Sequence, residues 1–363
     1  MKRDKLIDLV KCIGIISIVI GHATWNVLGI NSKIVGFVYM YHLMIFVFIS
    51  GYLFPINKIK NKEEMYKYIG KHIYKMLILY IVYNLIFVIM HNVLIKSCII
   101  TSSMYSKRDI VEKALAGFSF RTNEALIGPF WFIPMLLNTQ ILFVISINLL
   151  NKFKNNKYLY LINPIIFSVV GIALCYNNIN LLYKLQISIL SVPFMYMGMI
   201  VKKYWNKIEK YIYEFGWIIS AALLIIVIEM NIGTIELYRN EIINPIIFYP
   251  ISIVGIYFCF SLAKFLNKLD FAKAYLCYIG ENSFHIMALH FFFMKIIDML
   301  YNKTSIITKM ILYIEIPYDY LNQLWPIFIL LSTCLPVAII YIIKKLINSL
   351  KKNIYRNKLE KFF

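Results

Sequence analysis

"LIDLVKCIGIISIVIGHATW", residues 6–25, has the length and apolarity of a membrane-spanning helix, yet it carries Asp8, Lys11 and His22. About 20 apolar residues cross a bilayer as a helix. A charge at the centre of such a helix costs roughly 2.5–3.5 kcal/mol even on the lenient insertion scale, so polar groups kept there face a bundle interior or a wet cavity. Spacing sharpens the point. Lys11 and His22 lie about three turns apart on one face, His22 about 16 Å further along the axis, and Asp8 precedes Lys11 by one turn, within pairing reach. On this helix alone two readings stand. Asp8 and Lys11 fit a topology anchor with a snorkelling lysine, or part of a path; His22 fits interhelical glue, or a reactive base.

Working outward, the 363 residues are 61% hydrophobic and only 15% charged, with a mean hydropathy of +0.70. A soluble domain carries far more charge. The apolar runs are too long for outer-membrane strands, so the fold class is all-α: a polytopic membrane bundle. Ten spans are expected, at roughly 7–28, 34–56, 73–95, 129–150, 158–177, 180–201, 213–232, 243–266, 275–299 and 324–347. "YNNIN" (176–180) reads as a break between two of them. The first apolar run is too long for a signal-peptide core and no small-residue cleavage site follows, so it reads as a retained span.

The net charge of +20 excludes little by itself. In a membrane protein it fits cytoplasmic lysines that set topology and meet anionic lipid, rather than a nucleic-acid partner. With the N-terminus inside, 26 basic residues fall on inside segments and 10 on outside ones, which puts both termini in the cytoplasm. Residues 1–350 read as one membrane domain and 351–363 as a basic cytoplasmic tail. The six cysteines show neither a disulfide framework nor metal-ligand spacing. In the long outer loop, 96–128, Ser106 and Asp109 match a capping box for a short helix over 106–117. Lys295 and Asp298 are spaced to pair, and Glu229, His91 and His285 have structural pairing or core hydrogen bonding as the default reading.

The second run, "MYHLMIFVFISGYLF" (40–54), puts His42 in its outer half. Helices joined by a short turn usually pack together, which makes His22 and His42 candidate neighbours. At this point "D-x-x-K-x10-H" (8–22) and "YHLMIFVFISGYLF" (41–54) resemble the integral-membrane acyltransferase-3 family, bacterial enzymes that O-acylate cell-envelope carbohydrates. "YIGKHIYKMLILY" (68–80) is similar to that family's basic stretch before the third span. "GPFWFIPMLL" (128–137) resembles its Trp-Phe motif, and "IGENSFHIMALH" (279–290) its Gly-x-x-Ser segment ending in His.

The resemblance implies a membrane O-acyltransferase in the bacterial cytoplasmic membrane, moving an acyl group, most often acetyl, from cytoplasmic acyl-CoA to a hydroxyl of an envelope glycan or lipid-linked sugar. Acyl-CoA is then a co-substrate, with no permanently bound cofactor or metal. His22 is implied as the catalytic residue, supported by Lys11, Asp8 and His42. Physical chemistry agrees, because acyl transfer to an alcohol needs a base of near-neutral pKa; an acyl-histidine intermediate is the other route. Lys71, His72 and Lys75 are implied as donor-binding, with Ser50 and Tyr52. The family's paired arginines are absent there, which removes bidentate phosphate contacts. Trp131, Phe132, Ser283 and His290 are implied around the acceptor or pocket, with Trp131 equally suited to an interfacial belt. Gln140 stands where relatives place an acid, and Met287 where they place a Tyr. The rival from another class is a transporter or flippase of a lipid-linked glycan or small metabolite, for which inverted repeats would be the sign; none is legible.

Overall fold

The computed structural model describes residues 4–28, 32–55, 62–121, 124–151, 158–230, 235–242, 245–312 and 325–359. Among them nine helical stretches are long and apolar enough to cross a membrane, or ten if a bent pair counts as one span. The helices are α1 (Lys5–Leu28), α2 (Lys33–Tyr39), α3 (Met44–Tyr52), α4 (Lys62–Lys96), α5 (Lys107–Phe118), α6 (Phe132–Asn151), α7 (Leu159–Tyr176), α8 (Leu185–Lys203), α9 (Trp205–Ile208), α10 (Gly216–Glu229), α11 (Pro245–Leu266), α12 (Asp270–Glu281), α13 (Ser283–Leu312) and α14 (Trp325–Leu359). Strands β1 (Ile235–Glu236) and β2 (Glu241–Ile242) pair as a small antiparallel hairpin.

α1 is the hub. It packs on α2, α3, α11, α12, α13 and α14, and Asp8, Leu9, Val10, Val19 and Thr24 are buried. α7, by contrast, exposes Leu161, Ile165, Ile166 and Val169, the lipid-facing surface of a peripheral helix. Small residues allow the closest crossings, as expected where van der Waals contact replaces the hydrophobic effect. A Cβ at Gly51 would overlap the Met195 carbonyl, and one at Gly198 the Phe48 carbonyl, so α3 and α8 touch backbone to backbone. Several buried hydroxyls are hydrogen-bonded to main-chain oxygens: Ser17 to Ile13 at 2.8 Å, Thr24 to Ile20 at 2.7 Å, and Ser188 across to Met135 at 3.0 Å.

Three expected spans differ from simple helices. The second is interrupted at residues 40–43, between α2 and α3. Broken helices survive in a membrane only where other protein groups satisfy the freed backbone, and here Ser252 of α11 donates to the Met40 carbonyl at 2.8 Å. Gly255 leaves the space that Tyr41 occupies. The seventh is shorter than 213–232, since Gly216–Glu229 meets Trp205–Tyr211 at a 74° bend. The ninth is divided at Asn282, whose side chain bonds the Tyr278 carbonyl at 2.7 Å and accepts from Lys344 at 2.8 Å. The break at 176–180 is present, with α7 ending at Tyr176.

The helix expected at 106–117 is α5, and both halves of its capping box form. The Ser106 backbone N–H, bonded to the carboxylate, holds Asp109 below its ordinary pKa. The loop before it is tied to α4: His91 stacks on Tyr105 and bonds Glu124 at 3.0 Å. Lys295 meets Asp298 at 3.3 Å, and Glu229 meets Lys33 at 2.6 Å.

Candidate active site

The Leu28 half of α1 and the break between α2 and α3 meet at a cavity of about 30 Å³. His22, His42, Trp131, Phe132, Glu236 and Met287 are in its wall. The expected neighbourhood of His22 and His42 is therefore observed. A void of this size admits about one water and no sugar. Each wall residue arrives by a local cause. The interruption at 40–43 turns His42 inward, where its ring stacks on Tyr39 with centroids 4.6 Å apart. A 3₁₀ segment, Ala125–Trp131, contains Pro129 and leads into α6, which sets Trp131 and Phe132 at the cavity edge.

The histidines differ in their hydrogen bonding. His42 Nδ1 lies 3.0 Å from the Val38 carbonyl, and His290 Nδ1 lies 3.0 Å from the Ile286 carbonyl. A carbonyl only accepts, so both rings carry their proton on Nδ1. His22 is only partly buried; its ring lies 5.4 Å from that of His290 and edge-on to Phe291 at 4.9 Å. His290 is fully buried and stands outside the cavity wall. Met287 is in that wall.

Sequence reasoning missed Glu236. It sits on the hairpin, is buried, and faces the same void as His22. Its carboxylate accepts from the backbone N–H groups of Tyr238 at 3.3 Å and Arg239 at 3.0 Å. Burial nevertheless dominates and raises its pKa. The hairpin is held by Asn240, in the left-handed region at φ 61°, which Asn tolerates. Asn240 bonds Gln186 at 2.9 Å and Asn180 at 2.9 Å. Nothing in a lone Glu between two spans marks it; only a search for short β-turn chemistry around "ELYRNEI" (236–242) would have flagged the loop.

A larger groove of about 530 Å³ adjoins this cavity. Trp131 is common to both walls, and its ring packs on Tyr238 at 5.5 Å. Tyr80, Phe120 and Tyr183 add further aromatic faces, and Arg121 and Lys184 add positive charge.

At the Lys5 end of α1, His72 lies within electrostatic reach of Lys75, Lys71 and Lys11. Lys71 and Lys75 are exposed. His285 lies within reach of Lys344 and Lys75 and bonds the Tyr83 hydroxyl at 2.7 Å. Lys11 thus joins the expected donor-side group. Ser50 and Tyr52 have other partners: Ser50 donates to the Phe46 carbonyl at 2.9 Å, and Gln140 reaches its hydroxyl at 3.5 Å. Tyr52 is buried, with Lys202 over its ring at 4.5 Å and Trp205 edge-on at 5.5 Å. Asp8 is buried in α1 beside Gly280, and Ser283 opens α13 just after the Asn282 break. Among the described residues no group of three His, Cys, Asp or Glu side chains is disposed to hold a metal ion.

Compared with known proteins, residues 4–345 match the family described as an acyltransferase domain, acyltransferase-3. No curated protein and no solved structure matches.

Proposed function

Because the chain belongs to the acyltransferase-3 family, and is thereby a membrane acyltransferase, we propose that it moves an acetyl or other short acyl group from acyl-CoA to a hydroxyl of an envelope glycan or lipid-linked sugar. The observation that carries this reading is the position of His22. It faces a water-sized void that shares Trp131 with an aromatic groove. Lys11, about three turns down the same helix, lies within electrostatic reach of His72 of α4, as do Lys71 and Lys75.

The chemistry divides accordingly. Phosphates of the donor meet the lysines as point charges, and the pantetheine arm runs along α1 toward His22. A neutral His22 takes the proton of the acceptor hydroxyl as its oxygen attacks the thioester carbonyl. The acyl–oxygen bond forms, the acyl–sulfur bond breaks, and the proton passes from His22 to the departing thiolate. The sugar ring rests on aromatic faces in the groove, a surface suited to pyranose faces. Since the void is too small for a ring, Trp131 or the hairpin moves aside when the acceptor hydroxyl arrives. Charge bias gives the orientation: basic end and both termini in the bacterial cytoplasm, groove outside, lipids around the bundle.

The test is thiol release from acetyl-CoA by purified protein in lipid discs, with crude envelope glycan as acceptor, wild type beside His22→Ala. A roughly 10²–10⁴-fold loss is expected on removing a general base. A folded His22→Ala protein that still transfers at the wild-type rate would sink the assignment.

A further inference from the structure

An imidazole acts as a base only through a nitrogen that carries no proton. Its other nitrogen then holds the proton, and that N–H needs an acceptor to fix ring and tautomer, as in catalytic triads. Among the described residues His22 makes no hydrogen bond, so the cavity wall alone leaves its tautomer undetermined.

His290 has the complementary deficit. Its Nδ1–H is committed to the Ile286 carbonyl, so Nε2 bears a lone pair. That nitrogen is buried and, among the described residues, has no hydrogen-bond partner. Buried polar atoms without partners are uncommon and need an explanation. The ring next to it is His22, with centroids 5.4 Å apart and planes inclined by 32°. Two imidazoles sharing one in-line hydrogen bond stand with centroids roughly 5 Å apart, from an N···N separation of about 3 Å and the two ring radii. A water between them would need roughly 8 Å. As the rings stand the bond is not made, since His290 Nε2 is without a partner among the described residues, but at 5.4 Å a turn of the His22 ring about its side-chain torsions brings the two nitrogens within direct reach, with no room for a water between them. Phe291, edge-on to both rings, has no donor. His42 has no N–H to give it either, since its own Nδ1–H is committed to Val38.

We propose that His290 is a positioning residue: its bare Nε2 accepts the N–H of His22, which leaves the other His22 nitrogen unprotonated and facing the cavity. His290 stands outside the cavity wall and acts on the acceptor hydroxyl only through His22. The hydrogen bond is a statement about structure; its catalytic consequence rests on the reading of His22 as the base.

The test uses the full-length protein in lipid discs, labelled with ¹⁵N-histidine. Solid-state nitrogen spectra report which nitrogen of each ring is protonated, with His22→Ala and His290→Gln providing the assignments. The expected result is His290 protonated on Nδ1, with a hydrogen-bonded Nε2 that moves to the free position in His22→Ala. A proton on His290 Nε2, or an Nε2 signal indifferent to the loss of His22, would overturn the proposal, and the first of these is read from the wild type alone. Turnover gives the second readout. His290→Leu, which cannot accept, should lose about a hundredfold in acetyl-CoA turnover at unchanged KM, while His290→Gln, whose amide oxygen accepts, should recover most of it. Equal losses in the two folded variants would assign His290 a packing role instead. A wild type without thiol release would refute the base reading, and the spectra would still decide the bond.

Discussion

Gly280 of α12 rests on the main chain of Asp8 in α1, so closely that a Cβ there would overlap the Asp8 carbonyl oxygen and come within 3.0 Å of the Cys12 amide nitrogen. Backbone cannot move aside as a flexible side chain can. Gly280→Ala is therefore expected to push α12 off α1 and to cost about 1–3 kcal/mol, the usual penalty for overpacking. The measurement is the thermal midpoint in detergent. Gly70→Ala in α4, where a Cβ meets nothing within 4 Å, is the control; it should leave the midpoint unchanged or raise it, since Ala is the better helix former. Equal midpoints for the two variants would contradict the contact.

The basic group offers a charge test. Lys75, Lys71 and Lys11 all lie within electrostatic reach of His72, and a charge-assisted hydrogen bond contributes roughly 1.5–3 kcal/mol. Lys75→Glu should raise the KM for acetyl-CoA at least tenfold, with the deficit shrinking as salt screens the repulsion. An unchanged KM would move the donor phosphates elsewhere. Lys202, over Tyr52, is then the next candidate, because the expected donor residue Tyr52 lies there.

Much of this arrangement was legible in the sequence, and the reasons it stopped are physical. Hydropathy finds spans because a helix in hydrocarbon satisfies its own backbone. It finds His22 and Lys11 because charges in such helices are costly. Periodicity finds the second and ninth spans but not their interruptions at residues 40–43 and Asn282, because the groups that meet those breaks, Ser252 on the Met40 carbonyl and Lys344 on the Asn282 side chain, come from far along the chain. The same limit hid Glu236, whose importance lies in what the hairpin packs against. Ser50 and Tyr52 are attached to the donor by resemblance alone; in the structure Ser50 bonds Phe46 and Gln140, and Tyr52 packs with Lys202 and Trp205.

Glu236 makes stability depend on pH in a definite direction. Burial raises its pKa above the ordinary 4.5, so the folded protein binds that proton more tightly than the unfolded chain. Its contribution is fully present below about pH 4.5, and is lost as pH rises through the raised folded value. Thermal midpoints of wild type minus Glu236→Gln, measured from pH 4 upward, should therefore fall with rising pH and then level off. A difference that grows with pH would mean that the two backbone N–H bonds, and not burial, control this carboxylate.

Trp131 is the boundary between the His22 cavity and the aromatic groove, and its two roles separate experimentally. As a platform, its loss removes one aromatic face from the acceptor, about 0.5–1.5 kcal/mol, or roughly a 2- to 13-fold rise in acceptor KM. As a wall, its loss joins a void of about 30 Å³ to the open groove and admits water beside His22. Water is itself an acceptor, so Trp131→Ala should release thiol from acetyl-CoA without glycan faster than wild type while transferring to glycan less well. Trp131→Phe keeps an aromatic face and most of the volume, and should lie between the two on both measures. If glycan transfer and glycan-free thiol release both stay at wild-type levels in Trp131→Ala, the ring belongs to the lipid interface, and the groove beside it is not the acceptor's path to His22.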